Sequence, residues 1–152
     1  MKKAIVILDD NKISKALLID SIKRQNINYH FQRLEVLIFD KGSKNILNEN
    51  IEFCKSLKMN YKTVDISKLN NLYMNKEFSF INYITLSLNY AINSKASYII
   101  TSVFNPNGIM SKKMLNLRQT IKVLTDGKVN LLSPYCELNK VKINKKLSRV
   151  DF

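Results

Sequence analysis

The stretch Ala4-Ile5-Val6-Ile7-Leu8, followed at once by Asp9-Asp10-Asn11-Lys12-Ile13-Ser14, decides how the rest of the chain is read. An unbroken apolar run with no polar alternation marks a strand buried on both faces, as in a parallel sheet. The polar turn then leads straight into a helical pattern. In open α/β sheets the ligand crevice lies outside the carboxyl ends of the strands, so this turn is where function is first sought. It holds two carboxylates, an amide and a lysine, and no glycine. A phosphate cradle needs closely approaching backbone N–H groups, which glycine permits and side chains obstruct. Asp9 and Asp10 add like-charge repulsion against any phosphate. The stretch reads as the frame of a nucleotide-binding protein without its phosphate loop.

Working outward, Lys12 to Gln25 reads as a helix with Ile13, Ala16, Leu17 and Ile22 on its buried stripe. Asn26 to Gln32 is polar and turn-like, and Leu34 to Phe39 is a second strand closed by Asp40-Lys41-Gly42. Ser43 is placed to cap the next helix, where Leu47, Ile51, Cys54 and Leu57 recur at helical spacing. On that stripe Cys54 reads as a small core residue rather than a nucleophile. Lys62 to Ile66 is a third short strand, and Ser67 to Lys76, rich in Asn and Lys, reads as an exposed connection. A helix follows with Phe80, Ile84, Leu88 and Ala91 on one face, and Ser97 to Val103 is a fourth strand. Asn105-Pro106-Asn107-Gly108 is a turn. The next helix carries Met114, Leu117, Ile121 and Leu124, with Asp126-Gly127 as its stop, and Val129 to Leu132 is a fifth strand. From Lys140 onward the chain is basic, through Lys142, Lys145, Lys146 and Arg149. It reads as a surface or frayed segment, or else as a partner-binding arm.

At 152 residues the chain is long enough for one domain that buries roughly two-thirds of its unfolded surface. We expect one body over residues 1–143 and a basic tail over 144–152. No apolar run approaches the ~20 residues of a membrane span, and the run after Met1-Lys2-Lys3, cut short by Asp9, is not expected to be a secretion signal. Cys54 and Cys136 give no disulfide framework, so a cytoplasmic setting is expected. With one histidine, His30, a four-ligand zinc site is not expected. The formal net charge of +13 invites a nucleic-acid partner. Abundant Lys, Asn and Ile are also what an AT-rich coding sequence produces, so scattered lysines read more simply as a solvated face.

Strands alternating with helices imply βαβ units and a parallel sheet with helices on both faces. Asp9 to Ser14, Asp40 to Ser43 and Ser102 to Asn107 then share one end of the sheet. Asp9, Asp10, Asn11 and Ser14 form the altered nucleotide loop. Phe39, Asp40, Gly42, Ser102, Val103, Phe104 and Asn105 are the candidate base-binding pocket. Asp9 and Asp10 read as turn residues capping the first helix or, less simply, as a cation pair. The phenylalanines wall a base-sized slot or simply pack the sheet.

In order and wording the chain resembles 7-cyano-7-deazaguanine synthase of the queuosine pathway and, more broadly, the adenine-nucleotide alpha-hydrolase-like enzymes with a PP-loop. The likeness runs from Ala4 to Ile143. The family's Ser-Gly-Gly-x-Asp-Ser falls on Asp9 to Ser14, where only Ser14 matches. Phe39, Asp40, Lys41 and Gly42 keep part of its Phe-x-Tyr-Gly-Gln-x-His segment, and Tyr83 to Ala91 resembles its Phe-Leu-Ser-x-Ala-x-x-Tyr-Ala helix. Thr101 to Asn105 is similar to its Ile-Gly-Val-Asn strand, with Ser102 for Gly, and Pro134 to Ile143 to its closing segment. The family's Asp-Cys-Arg substrate segment and cysteine-rich zinc tail have no counterpart.

The resemblance implies a Rossmann-like, HUP-type three-layer sandwich with a mostly parallel sheet of about five strands, and a dimer through the helix around Tyr83 to Ala91. Apolar, fold-determining positions match, while those that would touch ATP, substrate or zinc are largely changed. Adenylation needs charge-neutralising donors and usually Mg²⁺ at the pyrophosphate. The expectation is a relative without catalysis, serving as a structural or regulatory subunit or as a binder of a nucleoside-like small molecule. ATP and Mg²⁺ are expected only if the altered loop still binds them. The alternatives are an active ATP-dependent ligase of the 7-deazaguanine type and a basic nucleic-acid-binding protein.

Overall fold

In the computed structural model the described residues are 2–25, 32–72, 79–104 and 109–150. The five strands are β1 (Lys3–Leu8), β2 (Arg33–Asp40), β3 (Tyr61–Asp65), β4 (Tyr98–Ile100) and β5 (Asn130–Leu132). The helices are α1 (Lys12–Gln25), α2 (Lys44–Ser56), α3 (Ser67–Leu72), α4 (Ser79–Asn93), α5 (Ile109–Leu124) and α6 (Lys140–Leu147). The strands pair in parallel in the order β3-β2-β1-β4-β5, so the opening apolar run is the middle of the sheet. This is a Rossmann-like α/β fold, in three layers.

The pleat divides β1 between two cores. Ala4, Val6 and Leu8 pack with α1, α2 and α6, whereas Ile5 and Ile7 pack with α4 and α5. Period two sends neighbouring side chains to opposite faces, so a strand covered on both must be apolar throughout. β2 repeats the logic, with Val36 and Ile38 on the first face and Leu37 and Phe39 on the second. Cys54 is wholly buried in the first core, where burial pushes its thiol up to about 11 and leaves it unreactive.

Several elements differ from the sequence reading. The fourth strand pairs only over Tyr98–Ile100, since its ladder partners are Ala4 to Val6 and Asn130 to Leu132. Residues 67–72 are a helix rather than an open connection. The Asp65 carboxylate accepts from the Ser67 amide at 2.9 Å and from its hydroxyl at 2.6 Å, fixing the first turn. Ser43 stands at the N-cap of α2 in extended conformation, but its side chain makes no cap bond. Leu124 is 73% exposed because Thr125 turns inward instead, its hydroxyl bonding the Ile121 carbonyl at 2.8 Å. Leu18, not Ile22, completes the fully buried stripe of α1. The turns at 26–31 and 105–108 lie outside the described residues.

The basic stretch after Asn139 is docked on the body. Asn139 caps α6 by accepting from the Lys142 amide at 2.9 Å. Ile143 and Val150 are buried in the first core, and Lys146 and Tyr135 both donate to Asp20 on α1. No helix among the described residues is long and apolar enough to cross a membrane.

Candidate functional site at the carboxyl ends of the central strands

β1 ends at Leu8 between β2 and β4, and the chain leaves it towards β2, so the strand order reverses between β1 and β4. Such a switch point opens the crevice in which doubly wound sheets bind ligands. Three connections meet this edge: Asp9 to Asn11 after β1, Lys41 to Ser43 after β2, and Thr101 onward after β4.

The first turn closes on itself. The Asn11 amide donates to Asp9 Oδ1 at 2.8 Å, and the Ile13 amide donates to Asn11 Oδ1 at 3.1 Å, making Asn11 the side-chain cap of α1. Ser14 is fully buried. Its hydroxyl donates to the Asn11 carbonyl at 2.7 Å and accepts from the Asp9 amide at 3.2 Å, while its own amide donates to Asn11 O at 3.0 Å. Asn50 of α2, 1% exposed, holds the turn from below by donating Nδ2 to the Asp9 carbonyl at 3.0 Å. Asp9, Asn11, Ile13 and Ser14 thus all spend their amides inside the turn.

The carboxylates face unlike surroundings. Asp9 is half-buried, and burial raises its carboxyl above the ordinary value of 3.8, with the Asp10 charge adding to the rise and the Asn11 amide opposing it. Asp10 is exposed and meets Lys41 Nζ at 3.3 Å. The same ammonium lies 5.4 Å from the Tyr83 ring centre. Asp40 accepts from the Gly42 amide at 2.8 Å. Gly42 has φ +106°, and a Cβ there would come within 3.3 Å of Ser67 Cβ, so the turn after β2 needs glycine.

Of the candidate pocket, Phe39 is buried with its ring 4.9 Å from that of Tyr83, tilted by 52°. Val103 packs on the same face, whereas Phe104 packs with the core on the other. Phe39 and Phe104 therefore do not face each other across one slot. Ser102 is buried and Asn105 lies outside the described residues. The structure brings Asp9, Asp10, Asn11 and Ser14 together with Asp40 and Gly42 at one edge.

Sequence reading did not single out Asn50, and it named Tyr83 only as the start of the Tyr83 to Ala91 segment. Both sit on the apolar stripes of their helices, Asn50 among Leu47, Ile51 and Cys54, Tyr83 among Phe80, Ile84 and Ser87. A polar group at a stripe position is the signal that marks them. The Tyr83 hydroxyl is buried without a hydrogen bond among the described residues, and burial raises its pKa, with Lys41 opposing. Among the described residues no group of three or more His, Cys, Asp or Glu side chains is placed to hold a metal.

The fold recurs in solved structures. The chain is similar to the U34-tRNA thiolase NcsA from Methanococcus maripaludis, solved with its 4Fe-4S cluster: TM-score 0.67, 11% identity, 99% of this chain and 57% of the thiolase. A predicted subunit of tRNA methyltransferase from Methanocaldococcus jannaschii gives TM-score 0.64 at 10% identity, over 97% of this chain and 75% of that one. The NH3-dependent NAD synthetase from Campylobacter jejuni, in complex with nitrate, gives 0.56 at 14% identity over 99% and 64%. The chain thus spans little more than half of the thiolase and under two-thirds of the synthetase. At these identities the likeness is one of fold. No protein-family model matches the chain, and no curated protein matches it.

Proposed function

We propose that this chain is a diverged relative of the PP-loop synthases that has given up nucleotide activation. It acts as a binder of a nucleoside-like small molecule or as a structural or regulatory subunit. One observation carries the reading: in the β1–α1 turn the amides of Asp9, Asn11, Ile13 and Ser14 are bonded within the turn itself rather than turned outward to an anion. As folded, this turn does not fit a triphosphate. A phosphate must break those bonds and sit beside Asp9 and Asp10, losing both hydrogen-bond and charge terms. A base or ribose, uncharged, meets neither obstacle. The specific likeness to 7-cyano-7-deazaguanine synthase makes a deazapurine the first ligand to try.

Calorimetry of the full chain with adenosine, a deazaguanine, AMP and ATP, each with and without Mg²⁺, tests this. Adenosine or the deazapurine is expected to bind and raise the melting temperature, with no gain from phosphates. Micromolar binding of Mg·ATP, or turnover of ATP to AMP, overturns it and restores the ligase reading. Silence from every purine rejects the ligand branch and leaves the subunit branch. A second reading, an RNA-binding role, is favoured by the net charge of +13 and by two similar structures named for tRNA modification. Its mark is an affinity that falls linearly with salt on logarithmic axes.

A further inference from the structure

Away from the central turn, the carboxyl edge holds a cavity lined by charged side chains. It lies between α5 and the end of β5, has a volume of about 380 Å³, and is reached from solvent past Lys112, Arg118 and Glu137. None of these three side chains has an ion pair or hydrogen bond to another described residue. Elsewhere the protein does pair such charges, as in Lys3 with Glu35 at 3.1 Å and Lys41 with Asp10 at 3.3 Å. The cavity wall is polar and apolar in equal measure, its apolar part coming from Met114, Leu115, Leu132 and Pro134.

We infer that this crevice binds a small two-ended molecule, with a carboxylate or phosphate monoester at one end and an amine at the other. Lys112 and Arg118 on α5 take the anion, Arg118 with its planar fork and Lys112 as a point charge. Glu137, from the β5–α6 connection, takes the amine. The apolar part of the wall accepts the carbons between them. The volume lies within the roughly 300–1,000 Å³ of small-molecule sites. Glu137 argues against a nucleic-acid backbone here, because a carboxylate in the wall repels a continuous run of phosphates. A smaller cavity of about 260 Å³ continues along β5 past Arg118 to Lys122, leaving room for a longer anionic end.

The site is separate from the turn at Asp9, and the inference stands or falls apart from the proposed function. Adenosine is read at the amides of residues 9–14 and 40–42, and this ligand at residues 112–118 and 133–137. The test is heteronuclear NMR of the isotope-labelled full chain with phosphoethanolamine and β-alanine as two-ended probes, and inorganic phosphate and ethanolamine as one-ended ones. The two-ended probes are expected to shift the amides of residues 112–118 and 133–137 saturably. Arg118→Gln weakens them about tenfold, the effect of one lost charge-assisted contact. Glu137→Gln weakens the two-ended probes severalfold and leaves inorganic phosphate unchanged. All three charged side chains are exposed, so the variants melt as the parent does. Shifts absent from both stretches overturn the inference. So does an equal response of all probes to Glu137→Gln, or a short oligouridylate that displaces the probes and shifts amides across the whole basic surface.

Discussion

Asp9 stands in the turn before α1 and Asp20 within the helix, yet their carboxyls move in opposite directions. Burial acts most strongly on both and raises both. At Asp9 it prevails, because the nearest carboxylate, Asp10, is a like charge whose own partner is Lys41. At Asp20 the bonds from Lys146 and Tyr135, with the charges of Lys146 and Arg24, outweigh burial and hold the carboxyl below its ordinary range. A carboxylate supplied with a cation and a hydroxyl is a fastener, here joining α1 to α6 and the β5–α6 connection. One that is desolvated beside another carboxylate is a local cost, kept in place by the packing around it. Such costs gather at functional edges more often than in plain scaffold.

The largest break in this contrast is expected at the fastener. Asp20→Asn leaves Lys146, with a side chain only 19% exposed, facing an uncharged amide. A cost of about 2 kcal/mol is expected, below that of a fully buried pair because water still reaches the site. Chemical denaturation gives the number. Hydrogen exchange locates it, since the amides of 140–147 should lose protection before those of β1. The pH dependence carries the same sign. The lowered Asp20 value contributes stability that is complete above the ordinary 3.8 and is lost as the pH falls through the folded value. Acid should therefore loosen α6 early, and Asp20→Asn should flatten that part of the profile.

Next in size is Asn50→Ala, which sharpens the other half of the comparison. Asn50 touches no expected ligand, yet its buried amide ties α2 to the Asp9 carbonyl. Removing it leaves that carbonyl without this donor and opens a small void, at about 1–2 kcal/mol. The effect should be local, raising exchange at the amides of residues 9–14 while α6 keeps its protection. Equal loosening at both ends of α1 would mean that turn and fastener are one unit, and the contrast would fail.

How far the sequence reveals this depends on which forces are local. The bounds of α1, Lys12 to Gln25, are legible because apolar residues recur at helical spacing, although its cap is Asn11 and not the Asp9 or Asp10 that the sequence suggests. The central place of β1 is legible because only a strand covered on both faces needs such a run. The helical turn at 67–72 is not, since Asn propensity opposes it and the Asp65 bonds that fix its start are invisible to periodicity. The polar contents of the β1–α1 turn are legible, but not that the amides of Asp9, Asn11, Ile13 and Ser14 are bonded within it. That depends on rotamers of Asp9, Asn11 and Ser14 and on the reach of Asn50 from another helix. That Lys112, Arg118 and Glu137 have no ion pair or hydrogen bond to another described residue is likewise a tertiary fact, set by which helix lies beside β5.

The smallest expected effect, and the one that tests the sign of the comparison, is Asp9→Asn. Asparagine keeps the Oδ1 that accepts from the Asn11 amide at 2.8 Å, so the turn's shape is retained. What is removed is a desolvated charge beside Asp10. At neutral pH the variant should be neutral to stabilising, by about 0.5 kcal/mol, where most changes at a half-buried polar position cost stability. The raised carboxyl explains why the gain depends on pH. Below the ordinary 3.8 the native side chain is protonated folded or unfolded and the variant has no advantage. As the pH rises through the folded value the native protein loses stability that the variant keeps. Denaturation of both proteins between acid and neutral pH should therefore give curves that meet in acid and separate above it, opposite in direction to the Asp20 pair. A destabilised Asp9→Asn at neutral pH would show that the ionised carboxylate is a structural necessity of the turn, and Asp9 would join Asp20 as a fastener.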